Sequence, residues 1–341
     1  MKSKQVTLLL LAAITFLVAV MYQPADGAIS VRGPRACRVA EYIWYNRFSQ
    51  AVDSAQALVE AEQDNPTGYF LLGVIYHSIS NQYRSDRYNE LIERNLDTAI
   101  TLAQTKIKSA RAEADWYLVL GSAYGYRALH RSLHGGGWGS FKDGSRASSQ
   151  LQKSLALDST CYDAYFGLGA FHYWKSVKVK KLAWLPFVSD RRQQGIDEII
   201  RSIGSGSLAP FNARKTLLAI YLNEKRYEAF FALADSLMQV LPDDPSCLHH
   251  LIMGLMNTEQ WDKAEKALSR LRTVWSQSPY FDSAGALDGD LLAAQIAVAR
   301  GDRETAAALI DKILTEKTIC RANDYCADTY EQAERLRKKL H

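Results

Sequence analysis

The chain has 341 residues, of which 48% are hydrophobic and 23% are charged, and its formal net charge at pH 7 is +4. This length is sufficient for a large hydrophobic core. Because positive and negative charges nearly balance, the composition favours no polyanionic partner.

The beginning of the chain has the pattern of a secretory signal peptide. Lys2 and Lys4 precede an apolar run from Val6 to Met21, and the small-residue triplet Ala25-Asp26-Gly27 follows. The run is shorter than the roughly 20 apolar residues of a membrane-spanning helix, and Cys37, the first cysteine, lies too far on to carry a lipid anchor. We therefore predict export to the periplasm or cell envelope; secretion and an uncleaved anchor are the alternatives. Export also argues against a nucleic-acid partner.

Five cysteines in an exported chain leave at least one thiol that is free or pairs outside the chain. Cys320 and Cys326 bracket the turn-prone segment Arg-Ala-Asn-Asp-Tyr, which can bring them together as a disulfide. In a continuous helix, residues six apart point to different faces, and the bond could not close. The sequence leaves both outcomes open.

Helical spacing of apolar residues begins at Ala36 and continues to Ala61, with a turn near Asn46. Asp64-Asn65-Pro66 is a stop signal for the second of these two helices. The segment therefore predicts a pair of helices. Further pairs are predicted to open at Thr67, at Ala112 and near Asp163.

One eight-residue pattern occurs three times, and successive copies begin 48 positions apart: YFLLGVIY, YLVLGSAY and YFGLGAFH. Its repeated positions are Tyr69, Leu72, Gly73 and Tyr76; Tyr117, Leu120, Gly121 and Tyr124; and Tyr165, Leu168, Gly169 and His172. A glycine inside a helix costs about 1 kcal/mol relative to alanine. Three glycines in one register therefore predict that the second helix of each pair approaches the backbone closely.

These residues resemble the first helix of the tetratricopeptide repeat, W-x2-L-G-x2-Y, whose second helix carries A-x3-F and a terminal Pro. Weaker matches follow in later units: Leu217, Tyr221, Tyr227 and Pro242; Leu251, Leu255, Trp261, Ala264 and Leu268; Gly301, Ala306 and Ile310. The resemblance implies an all-α superhelix of about six to seven antiparallel helix pairs. A looser likeness is to exported bacterial repeat proteins without an assigned activity.

The sequence departs from the family in two respects. The usual period is 34 residues, so the 48-residue spacing implies about 14 additional residues in each central unit, and the second-helix alanine is missing from several units. With these insertions, the predicted organisation is a signal peptide over 1–27, a short linker over 28–35, a helical repeat domain over 36–318 and a C-terminal capping helix over 319–341.

The resemblance also implies a concave groove lined by the first helices. Carried onto this chain, the groove positions are Phe70, Val74, His77, Leu118, Ser122, Phe166, Ala170 and Tyr173. Their apolar and aromatic character predicts a non-catalytic scaffold that binds an apolar or aromatic segment of a protein partner. The alternative is that the insertion over 174–192 fills the groove itself.

His130 and His134 lie four apart, a spacing at which two side chains can hold a metal ion. A metal-dependent envelope enzyme that uses this pair is therefore an alternative function. However, Arg131 stands where a zincin has its glutamate, and no third ligand is nearby in the sequence. Since nucleophile-elbow, phosphate-loop and dinucleotide motifs are also absent from the sequence, we predict no enzyme activity, no cofactor and no metal.

The stretch from Lys178 to Arg192 combines basic residues with Trp184, Leu185 and Phe187. One interpretation is a peripheral membrane attachment surface. The other is that the aromatic residues pack back on the superhelix while the lysines remain in solvent.

Overall fold

The computed structural model describes residues 29–109, 113–179, 189–206, 208 and 210–340. The predicted signal peptide lies outside these residues, as do Trp184, Leu185 and Phe187. The described residues form sixteen helices and no strands. The helices are α1 (Pro34–Trp44), α2 (Phe48–Ala61), α3 (Pro66–Tyr83), α4 (Asn89–Ser109), α5 (Ala114–Leu133), α6 (Gly137–Leu157), α7 (Asp163–Val179), α8 (Arg192–Ser205), α9 (Pro210–Asn223), α10 (Tyr227–Val240), α11 (Pro245–Asn257), α12 (Trp261–Ser276), α13 (Ser283–Ala299), α14 (Arg303–Thr315), α15 (Lys317–Ala322) and α16 (Asp324–Leu340).

Consecutive helices pack as pairs, from α1 with α2 to α13 with α14. First helices of neighbouring pairs also contact one another from α1 to α7 and between α9 and α11. The described residues thus contain seven pairs, which confirms the predicted all-α superhelix of antiparallel helix pairs. Long helices take up much of the unusual 48-residue spacing, since α4 and α6 each have 21 residues. Among the described residues, no helix is long and apolar enough to cross a membrane.

Each glycine of the repeated pattern faces the second helix of its own pair. A Cβ added at Gly73 would lie 2.6 Å from Leu96 on α4, and one at Gly121 would lie 2.7 Å from Leu151 on α6. At Gly169 the contact is with backbone, because an added Cβ would lie 2.5 Å from the carbonyl oxygen of Gly195 on α8. The close approach of the two helices therefore depends on the missing side chain.

The C-terminal half of the chain packs back against the N-terminal helices. The indole Nε1 of Trp275 on α12 donates a hydrogen bond of 2.9 Å to the carbonyl oxygen of Gln82 on α3. Tyr280 meets Phe48 edge to face, with ring centroids 5.7 Å apart, and α11 contacts α3 directly. One continuous hydrophobic core includes residues from Ile29 to Ile296. The superhelix therefore curls round onto its own beginning.

Both ends of the described chain differ from the predicted organisation. Ile29 and Val31, in the predicted linker, are buried in the core, and Asn65 Nδ2 donates to the carbonyl oxygen of Ile29 at 2.7 Å. The predicted capping helix over 319–341 is interrupted at Asn323, between α15 and α16. This interruption brings Cys320 and Cys326 together, and they form a disulfide.

Candidate functional site

Five of the eight predicted groove residues line one cavity. Phe70 and Val74 come from α3, Leu118 and Ser122 from α5, and Phe166 from α7. The volume of the cavity is about 50 Å³, which is space for a few water molecules or a small apolar group. The first helices of three successive pairs therefore converge on a single small apolar site.

The protein's own chain covers part of this cavity. Its other walls include Ala40, Ile43 and Trp44 of α1, together with Leu208, just before α9, and Asn212 in the first turn of α9. Trp44 packs against Phe211, with ring centroids 4.9 Å apart. In the structure the chain's own residues thus narrow this part of the predicted groove to a small pocket.

Polar contacts hold Leu208 and Asn212, which form part of the cover over the pocket, in position. Asp163, the first residue of α7, accepts a hydrogen bond of 2.9 Å from the backbone N–H of Leu208. Asn212 Nδ2 donates to the hydroxyl of Tyr126 on α5 at 3.3 Å. Burial raises the pKa of Tyr126 to about 12, so its hydroxyl is uncharged at neutral pH. Among the described residues that line the pocket, Asp163 is the one charged side chain, and a mostly uncharged wall suits an apolar ligand group.

Tyr173 and Ala170, on α7, lie outside the wall of the pocket. Tyr173 is completely buried between α7, α8 and α9. Its hydroxyl donates to Glu224 Oε1 at 2.9 Å and accepts from Asn223 Nδ2 at 2.7 Å. Ala170 is half-buried. The structure therefore places Tyr173 in the hydrophobic core and not on an accessible concave surface.

His77, the remaining predicted groove residue, begins a row of three histidine rings. Its ring centroid is 6.4 Å from that of His130, which in turn is 4.3 Å from that of His134. Burial lowers the pKa of His77 to about 3 and that of His130 to about 4. Both are therefore neutral at pH 7, and Nδ1 of His77 is buried without a hydrogen-bond partner.

These neutral histidines predict that the protein loses stability in mild acid. Burial lowers the pKa of His250 to about 4 as well, whereas a histidine in an unfolded chain has a pKa of about 6.5. Below pH 6.5 the unfolded chain binds protons that the folded chain does not, so stability falls as pH decreases towards 4. Between pH 7 and pH 5, His77 and His250 should each contribute a loss of about 2 kcal/mol.

The variant His77→Leu tests this prediction, since leucine fills an apolar site without titrating. Urea unfolding at pH 7 and at pH 5, followed by circular dichroism, should show a loss about 2 kcal/mol smaller for the variant than for the unmodified protein. An identical loss in both proteins would contradict a neutral, buried His77.

The described part of the 174–192 insertion lies away from the cavity wall. Lys178 Nζ donates to Ser132 Oγ near the end of α5 at 3.2 Å. At the other end, Arg192 pairs at 2.9 Å with Glu224, which directly follows α9. The predicted filling of the groove by this insertion depends on Trp184, Leu185 and Phe187, which lie outside the described residues.

No protein-family model matches the sequence, and no curated protein matches it. Similar solved structures include a tetratricopeptide repeat protein from Parabacteroides merdae, with 12% sequence identity, coverage of 87% of this chain and 96% of that chain, and a TM-score of 0.43. The C-terminal part of a repeat-containing protein of the same kind from Cytophaga hutchinsonii has 15% identity, coverage of 86% and 98%, and a TM-score of 0.40. Yeast Tom70 has 13% identity, coverage of 90% and 69%, and a TM-score of 0.41. These likenesses concern the arrangement of helices alone.

The sequence alone did not predict that Trp44 and Leu208 cover part of the pocket. Trp44 and Phe211 are 167 positions apart, and no periodicity in the sequence links them. Their only local signal is that each is a large aromatic residue at the end of a helix, Trp44 as the last residue of α1 and Phe211 as the second of α9.

Proposed function

We propose that this protein is a non-catalytic protein-interaction scaffold of the cell envelope, which holds an apolar or aromatic side chain of a partner segment in the cavity between α3, α5 and α7. The observation that carries the proposal is the convergence of Phe70, Val74, Leu118, Ser122 and Phe166 on that cavity.

The volume of the cavity limits the mode of binding. A space of about 50 Å³ cannot take a whole helix or an extended strand. It suits one side chain of a partner, which enters as a buried anchor while neighbouring residues contact the rim. Such anchors provide much of the binding energy in protein interfaces. Ser122 and Phe166 are only half-buried, which makes them the accessible part of the wall.

Cross-linking in cells tests the proposal. A photoreactive benzoylphenylalanine replaces Phe166, which keeps an aromatic ring at the rim, and illuminated cells are separated into cytoplasmic and envelope fractions. We expect one discrete covalent adduct in the envelope fraction. Ser122→Leu, which fills the cavity, should abolish the adduct without changing the circular dichroism spectrum.

Ser149→Leu is the matched control, because Ser149 is an exposed serine on the second helix α6. This variant should retain the adduct. An adduct that survives Ser122→Leu would show that the partner binds elsewhere, and an adduct found only in the cytoplasmic fraction would contradict the location in the envelope.

A further inference from the structure

Three side chains that are distant in the sequence meet where the C-terminal helix contacts the early repeats. Asp86 lies between α3 and α4, His134 directly follows α5, and Asp324 is the first residue of α16. One potential ligand atom from each residue lies within 4.8 Å of the other two. His134 Nδ1 is 4.0 Å from Asp86 Oδ1 and contacts Asp324 Oδ2 directly.

Two polar atoms of this cluster are buried and lack a hydrogen-bond partner. They are Asp86 Oδ1 and His134 Nε2. The other carboxylate oxygen of Asp86 accepts the backbone N–H of Asp324 at 2.6 Å. Buried polar atoms are nearly always paired, because an unpaired one costs free energy. A carboxylate oxygen without a protein partner, beside an imidazole and a second carboxylate, is available to coordinate a cation.

The surroundings also favour a cation. The three side chains contribute two carboxylates and one imidazole, and Arg84, in the same connection as Asp86, is paired with Asp288 on α13. The cluster lies at the C-terminal end of α5, which carries partial negative charge. The helix stops at this point, because Gly135 has a left-handed φ of 72°. The N–H of Gly136 donates to the carbonyl oxygen of Arg131 at 2.8 Å.

We propose that Asp86, His134 and Asp324 form a binding site for a transition-metal dication, with zinc as the best match. Zinc accepts mixed nitrogen and oxygen ligands at about 2.0–2.2 Å, whereas magnesium and calcium prefer sites made of oxygen alone. His134 Nδ1 and Asp324 Oδ2 then separate to about 3.3 Å, the distance between two ligands of a tetrahedral ion. Asp324 is exposed, so a water molecule can complete the coordination.

The role of this ion is structural. It joins the α3–α4 connection and the end of α5 to the first residue of α16, and so fastens the C-terminal helix to the early repeats. Asn323 reinforces the same junction, because its Nδ2 donates to the carbonyl oxygen of Arg84 at 3.3 Å. His130, although next to His134, is not among the three ligands.

Metal binding by the purified protein tests the site. After treatment with EDTA and dialysis, the protein is titrated at pH 7.5 with ZnCl2 against a chromophoric chelator, and with MgCl2 and CaCl2 in parallel. We expect about one Zn²⁺ per chain, at least tenfold weaker binding in His134→Gln and Asp86→Asn, and weak binding of Mg²⁺ and Ca²⁺. Zinc should also raise the Tm of the unmodified protein and leave that of His134→Gln unchanged.

His172→Gln is the control, because His172 also contacts a carboxylate, that of Glu198 at 2.6 Å, but is not part of a group of three potential ligands among the described residues. It should bind zinc as the unmodified protein does. Circular dichroism of the metal-free variants shows whether they fold, so lost binding is distinguished from unfolding. The proposal is overturned if the unmodified protein binds no zinc, if His134→Gln binds it equally well, or if Mg²⁺ or Ca²⁺ binds more tightly.

Discussion

Replacing Gly169 with alanine is expected to lower the free energy of unfolding by about 3 kcal/mol, the upper part of the usual range for an overpacked core. The new Cβ would lie 2.5 Å from the carbonyl oxygen of Gly195 and 2.9 Å from the backbone nitrogen of Ile199. Backbone atoms cannot rotate away as a side chain can, so α7 and α8 would have to separate. Urea unfolding of the purified variant measures the loss.

Gly125→Ala is the matched control for this substitution. Gly125 also lies inside a first helix, α5, but an added Cβ there would meet only the Cβ of Ala147, at an ordinary 3.9 Å. Because alanine favours the helix by about 1 kcal/mol over glycine, this variant should be as stable as the unmodified protein or more so. Equal losses in both variants would show that the contact between α7 and α8 is not the reason for the glycine.

Replacing Lys215 with methionine is expected to cost about 3–5 kcal/mol, because it leaves a buried carboxylate without its cation. Asp244 is only 1% exposed, and Lys215 Nζ lies 2.5 Å from its Oδ2. Burial alone would raise the pKa of Asp244, but Lys215 and the N–H of Cys247 keep it below its usual value. Asn46, in the α1–α2 turn, donates to the same carboxylate at 3.1 Å, so this one side chain links α1–α2, α9 and α11.

A double-mutant cycle separates the loss of the ion pair from the loss of packing. Asp244→Asn removes the charge but keeps a side chain that can cap α11. In the double variant no buried charge remains unpaired, so it should be more stable than Lys215→Met alone. Thermal or urea unfolding of the four proteins at pH 7 gives the coupling free energy. A Lys215→Met variant within 1 kcal/mol of the unmodified protein would mean that water reaches Asp244.

Local patterns in the sequence predicted the helix pairs, because each pair depends on residues close together along the chain. The glycine of each repeated pattern contacts the second helix of its own pair, as Gly121 contacts Leu151 only 30 positions later. Apolar spacing and a missing side chain are both visible in a short segment. The same is true of the stop signal Asp64-Asn65-Pro66, where Asn65 caps α3 by accepting the N–H of Thr67 at 2.9 Å.

From the sequence, the groove residues could be predicted only as members of an apolar helix face. Phe70 and Tyr173 look alike in the sequence, yet Phe70 lines the cavity while Tyr173 is buried in the core beneath α8 and α9. An apolar residue on a first helix has the same sequence signature whether it faces a partner or the rest of its own chain. The cover formed by Trp44 and Leu208 determines which residues remain accessible.

The proposed metal site also could not be predicted from local sequence patterns. In the sequence, His134 is a candidate ligand only together with His130, and we predicted no metal because no third ligand lies nearby in the chain. Asp86 and Asp324, the two carboxylates that meet His134, are separated by 238 positions. They meet only because the superhelix curls back on itself.

The sequence by itself determined the all-α class, the pairing of neighbouring helices and the positions where those helices touch. The physical reason is that helix formation and the packing of adjacent helices are governed by side chains a few turns apart. Only the tertiary structure decided that α1 and the beginning of α9 cover part of the cavity and that α16 meets the α3–α4 connection. These features arise from contacts such as Trp275 with Gln82 and Asn46 with Asp244. Such contacts depend on the accumulated curvature of seven helix pairs, which no local pattern specifies.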